Sequence, residues 1–233
     1  MQSYRQLDER QIAQTLVALR ERIASSFPEA NLGQLCEQLM EVAREASDVV
    51  VYLRRPNWAL RAVSAAASLG LLILLWLVAR ASLSASGAMS MSDIVQTIEA
   101  AVNDVVFFGI AVFFLMSIET RAKRRRALAV LHELRSLAHI VDMHQLTKDP
   151  ERLSTTIEIV GGEGRKKATG QDLGRYLDFC SELLSLNSKI SALLVQHFND
   201  GVVLQAVNEI ESLTTGLSGK IWQKITILER STR

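Results

Sequence analysis

The sequence predicts an all-α integral membrane protein, a two-helix transmembrane hairpin set between N- and C-terminal cytoplasmic regions of helical and coiled-coil character. Three observations carry this. Two apolar runs, residues 62–79 and 105–118, lie in the middle of the chain. On either side of them apolar residues recur every three or four positions, the spacing of one helix face. Turn chemistry is sparse, with 12 Gly, 3 Pro and 6% aromatics in 233 residues, which suits long helices better than many short strands. The apolar content of 48% argues against disorder, and the mean hydropathy of +0.16 reflects apolar residues gathered into runs. The organisation is residues 1–57 as an N-terminal helical region, 58–118 as the hairpin, with spans at about 62–79 and 100–118, and 119–233 as a C-terminal helical domain.

The first helical pattern is Ile12, Leu16, Leu19 and Ile23, broken at Phe27-Pro28. Then Leu32, Leu35, Leu39, Val42, Ala46, Val49 and Leu53 step by three and four, and Pro56 ends the helix. A seam of this kind needs a partner, either another segment of the chain or a neighbouring subunit. It is the candidate oligomer seam.

Residues 62–79 carry no charge and lie between Arg61 and Arg80. At 1.5 Å per residue they cover about 27 Å, close to a bilayer's hydrocarbon core. Trp58 and Trp76 stand near the two ends, as interfacial aromatics do. Ser64, Ala66, Ser68 and Gly70 give the small-xxx-small spacing that lets membrane helices approach closely. The second run is only about 21 Å long, so its span must reach back toward Glu99, Asn103 and Asp104. Those three polar groups are the candidate lining of a pathway, because exposing them to lipid is costly. Glu99 and Asn103 share a face, and Asp104 is turned by about 100°.

Basic residues set the orientation. Arg54 and Arg55 precede the first span, and Arg121, Lys123, Arg124, Arg125 and Arg126 follow the second. The connection at residues 81–99 has no Lys or Arg. Both termini are therefore expected in the cytoplasm, with the seven basic residues as membrane-surface anchors that meet lipid headgroups.

Beyond the spans a helix is expected from Ser117 to about Leu146, with Leu131, Leu134, Ala138 and Val141 as its apolar stripe. Residues 153–170 read as an extended connection with a small hairpin around Gly161-Gly162, and Thr169 reads as an N-cap. A helix bearing Leu173, Tyr176, Cys180, Leu183, Asn187, Ile190 and Leu194 follows. Asn199-Asp200-Gly201 turns the chain into a last helix with Ala206, Ile210, Leu213, Leu217, Ile221 and Leu228.

Chemical motifs are few. His132, His139 and Asp142 share one side of a helix near His144, yet the i, i+4 pairing of a helical zinc site is missing, so no metal is expected and a hydrogen-bonded packing face is the simpler reading. Gly161, Gly162 and Gly164 before Arg165, Lys166 and Lys167 lack the phosphate-loop ending. They leave room for a small anionic ligand. Nucleophile signatures and paired catalytic carboxylates are absent, so no enzyme and no cofactor are expected. The two cysteines, Cys36 and Cys180, are too few for a disulfide framework. The compact basic cluster lacks interleaved aromatics and is not a nucleic-acid patch.

Over about residues 30–145, the order of coiled segment, short hairpin and cytoplasmic helices resembles the two-span bacterial proteins of the SLATT type. That resemblance implies an inner-membrane effector paired with an immune sensor. The resulting expectation is a homo-oligomer whose spans form or gate a transmembrane pathway under control of the cytoplasmic helices. The alternative is a membrane-anchored scaffold for a cytosolic protein.

Overall fold

The computed structural model describes residues 6–28, 30–56, 58–84, 91–146, 158–159, 166–167 and 170–231. Among these residues the protein is all-α, apart from one two-residue ladder: β1 (Glu158–Ile159) pairs antiparallel with β2 (Lys166–Lys167), Glu158 opposite Lys167. Thr169 and Gly161, Gly162, Gly164 and Arg165 lie outside the described residues. The chain divides into two compact units, Met1–Arg54 with Arg124–Arg233, and Arg55–Lys123.

Helix α1 (Glu9–Ser26) starts where the Asp8 carboxylate accepts the Arg10 N–H at 2.8 Å, and it buries Ile12, Leu16, Leu19 and Ile23. Helix α2 (Leu32–Arg54) lies against it, running the opposite way: Glu9 reaches Ser47 and Arg54 near the far end of α2, while Arg20 pairs with Glu37 near its start. The α2 stripe is Leu32, Leu35, Cys36, Leu39, Val42, Ala46, Val50 and Leu53, all buried. Val49 is only half-buried and Val50 takes its place. The reason is geometric, since a straight helix repeats at 3.6 residues and drifts away from a strict seven-residue seam. The partner of this stripe is the chain itself, through α1 and α6 (Gly170–Val195), so these leucines are covered without a second subunit.

Helix α6 is buried almost all round, leaving a narrow polar stripe of Arg175, Asp178, Glu182, Ser185 and Lys189. A helix apolar over most of its circumference must sit inside its fold. Ion pairs and hydrogen bonds give its neighbours their directions. Leu7 meets Gln196 and Arg22 forms a two-point pair with Glu182, so α1 runs opposite to α6. Helices α5 (Ile118–Leu146) and α7 (Gly201–Ser231) run parallel, because Arg124, Arg135 and the Gln145 carbonyl meet Asp200, Glu209 and Lys224 in order. Where α1 ends, Phe27 lies edge-on to Tyr176 (5.7 Å) and Phe179 (6.2 Å), and Arg22 stacks over Phe179.

In the second unit α3 (Trp58–Ser84) contacts α4 (Met91–Met116). Arg61, at the start of α3, pairs with Glu119, three residues past the end of α4, at 2.7 Å, so the two helices are antiparallel. Ser117 interrupts the run between α4 and α5, its N–H shared by the carbonyls of Phe113 and Phe114. Among the described residues one helical stretch, within Val102–Gln145, is long and apolar enough to cross a membrane, and its apolar window is not buried inside the chain. Arg61–Ile73 is a shorter apolar helix among those residues.

Replacing Leu184, fully buried in α6, with Ala is expected to cost about 2–5 kcal/mol, seen as a lowered melting temperature by circular dichroism. Phe107→Ala, at a side chain 71% exposed, is expected to stay within about 0.5 kcal/mol.

Candidate functional site

Helix α4 carries the polar residues. Glu99, Asn103 and Asp104 are all exposed, and among the described residues none of them makes a hydrogen bond or ion pair. They stand in apolar company: Val102, Val105, Val106, Phe107, Ile110 and Phe113 are each more than half exposed. Trp58, Val63, Leu69 and Trp76 of α3 are equally uncovered. Monomeric soluble proteins rarely leave a contiguous patch of this size to water. The two helices are therefore built to meet an apolar medium or other helices.

The polar end of this pair is organised around Glu119. It accepts Arg61 at 2.7 Å and Lys123 at 3.0 Å, and Arg121 lies 4.0 Å over the Phe114 ring. Lys123 is buried. Arg124 makes a two-point contact with Asp200 at 2.8–3.0 Å, and Arg126 stacks 4.1 Å over Tyr52. Arg54 holds Glu9 at 3.0 Å. Arg55 and Arg125 are the two of the seven predicted anchors that are exposed without a partner among the described residues. The basic cluster thus serves the fold as well as any surface it meets.

Asp200 was not singled out by sequence beyond its turn. It caps α7: Oδ1 accepts the N–H of Val202 (3.1 Å) and Val203 (3.2 Å), and its carbonyl takes the first helical bond from Leu204. Burial pushes this carboxyl up, but the Arg124 hydrogen bonds and the N–H groups of Val203 and Val202 outweigh it and hold it below the usual carboxylate range. The Asp-Gly pair before an apolar run was the available signal for the cap. The Arg124 contact, 76 residues away, had none.

The other candidates are not assembled into sites. His132 and His139 are exposed, and Asp142 accepts the Gln145 amide at 2.6 Å. Among the described residues no three His, Cys, Asp or Glu side chains are grouped to hold a metal ion. Cys36 is fully buried, with Sγ 3.8 Å from the Leu16 carbonyl oxygen. Burial pushes its thiol up to about 11 against the opposing charge of Arg20, so it is not a nucleophile at neutral pH.

Comparison with known protein families, with curated proteins and with solved structures finds no match to this chain.

The Asp200 pair makes stability depend on pH in a defined direction. Its folded-state pKa is lowered, so its contribution is present above the unfolded value near 3.9 and is lost as pH falls through the folded one. Asp200→Ala is expected to cost about 0.5–2 kcal/mol for the cap alone. Asp200→Asn keeps the cap and loses the charge. Its melting temperature should lie below that of the wild type at pH 7, with the gap closing as pH drops below about 4. A constant gap across that range would exclude the charge as its source.

Proposed function

We propose that α3 and α4 cross a membrane as an antiparallel hairpin with both chain termini on the cytoplasmic side. Several copies then form or gate a transmembrane pathway, and the helices of the larger unit assemble or control it. The observation that carries this reading is the polar pair Asn103 and Asp104, exposed within the bare apolar surface of α4.

Helix rise turns this into depth. From Arg61 to Arg80 is about 28 Å along α3, the thickness of a hydrocarbon core. Arg61 pairs with Glu119, so both lie at the inner boundary, where Arg55 and Arg125 are the charges available to lipid phosphates. Counting back from Glu119, Asp104 lies about 22 Å away, Asn103 about 24 Å and Glu99 about 30 Å. Glu99 therefore reaches the outer boundary, level with Arg80. Asn103 and Asp104 stop a turn short of it, inside the slab. Such groups face a partner or water rather than lipid, and a ring of carboxylates favours cations. The order of coiled segment, short hairpin and helical region resembles that of the two-span SLATT-type effectors, and that resemblance supports an inner-membrane location. A second reading, a membrane-anchored scaffold for a cytosolic partner, is favoured by the larger unit, which folds upon itself with its own core.

The test is Glu99→Leu, Asn103→Leu and Asp104→Leu, made singly and read by ion flux from proteoliposomes with insertion verified. Loss of flux or of cation preference is expected for Asp104→Leu or Asn103→Leu, and wild-type behaviour for Glu99→Leu. Three silent substitutions, or no flux in the wild type, would leave the scaffold reading in its place.

A further inference from the structure

A groove of about 320 Å³ lies in the larger unit between α1, α2 and α6. Its floor is aliphatic, made by Ile12, Leu16, Met40, Ala43, Ile190 and Leu193, and among the described residues no aromatic ring lines it. Two arginines, Arg10 and Arg44, stand on its rim, both exposed, and among the described residues neither guanidinium has a hydrogen bond or ion pair. Among the described residues the one carboxylate on the rim, Glu9, is already engaged: Arg54 holds it at 3.0 Å and the Ser47 hydroxyl donates to it at 2.7 Å. The groove therefore offers an apolar trough and a net positive mouth.

We propose that this groove binds a free acyl carboxylate, with its chain along the aliphatic floor and its head on Arg10 and Arg44. The volume lies at the lower end of small-molecule sites, which start at about 300 Å³, so one chain fits where a two-chain lipid does not. A floor without rings suits a flexible saturated chain rather than a flat aromatic acid, and the unbranched Met40 adapts to it. Guanidinium groups take carboxylates through two parallel hydrogen bonds, and Glu9 does not compete for them because Arg54 already neutralises it. The residues involved all belong to the larger unit, so this assignment stands independently of whether α3 and α4 conduct.

The experiment uses the full chain in nanodiscs of zwitterionic lipid, exposed to octanoic acid carrying a terminal diazirine, with labelled peptides mapped by mass spectrometry after illumination. Saturable labelling is expected on peptides holding residues 12–17 and 40–44. Excess octanoate should displace it, and octanol, with the same chain and no charge, should not. Arg10→Glu with Arg44→Glu should weaken this labelling at least about tenfold, as loss of charge-assisted hydrogen bonds implies. Ala43→Trp, which fills the floor, should remove it while the circular dichroism spectrum stays unchanged. Labelling confined to α3 and α4, equal displacement by octanol, or undiminished labelling in both variants would overturn the assignment.

Discussion

A helix that keeps only a narrow polar stripe in water needs neighbours around the rest of its circumference, and α6 imposes that requirement on the whole larger unit. Leu177, Leu184 and Leu194 are fully buried on it, as are Cys180 and Ile190. Burying one such side chain is worth about 1.5–3 kcal/mol, so leaving any flank of α6 open would forfeit several side chains together. The chain packs α1, α2 and α7 against it and ties α5 to it through Asn187, drawing on both sides of the hairpin segment in sequence. The apolar stripe of α2 is spent in meeting that need, and so it is not left over to join subunits.

Apolar burial alone does not fix which turn of one helix faces which turn of the next. Polar contacts do so here, and at some cost. The Asn187 amide donates to the Leu134 carbonyl at 2.8 Å and pins α6 to α5. Among the described residues its own Oδ1 stays buried without a partner, as does Oε1 of Gln145, and each such group costs about 1–3 kcal/mol. The ends of α5 and α7 are joined reciprocally. Asp200 caps the start of α7 and holds Arg124 near the start of α5, while Lys224 of α7 donates to the Gln145 carbonyl at the end of α5. A cation on the last carbonyls of a helix also opposes its negative end.

Local pattern was legible in the sequence and lateral pattern was not. Periods of three and four located the helical faces of α1 and α5, and the Pro56 stop lies two residues past the end of α2. For α6 a single seam through Leu173, Tyr176, Cys180 and Leu183 accounts for only part of the burial. Leu177, Leu184, Phe179, Leu186 and Leu193 are buried too, and their near-continuous apolar angle was there to be read. The fate of the basic cluster was less accessible. Glu119 and Lys123 are four apart, so their pair follows from helix geometry. Arg124 with Asp200 and Arg126 with Tyr52 depend on which helices become neighbours, and no local rule supplies that. The groove over Met40 and Ala43 is hidden for the same reason, since three separate segments build it.

Two helices cannot enclose a path for water, so a pathway through α3 and α4 would demand several copies, and with the α2 stripe buried inside the chain the hairpin itself offers one surface for contact between them. In lipid there is little hydrophobic gain from bringing apolar helices together, and close packing at small residues takes its place. Ala66 and Gly70 are exposed on α3, and a Cβ added at Gly70 would meet nothing within 4 Å, leaving that surface open to a neighbouring backbone. Asn103 and Asp104 push in the same direction. A polar side chain facing lipid costs more than one facing its counterpart or trapped water, so within a membrane assembly would relieve on α4 the penalty that a lone hairpin would carry. The groups that would make the path hydrophilic are thus the groups that make a solitary copy unfavourable, and conduction and association would rise or fall together with them.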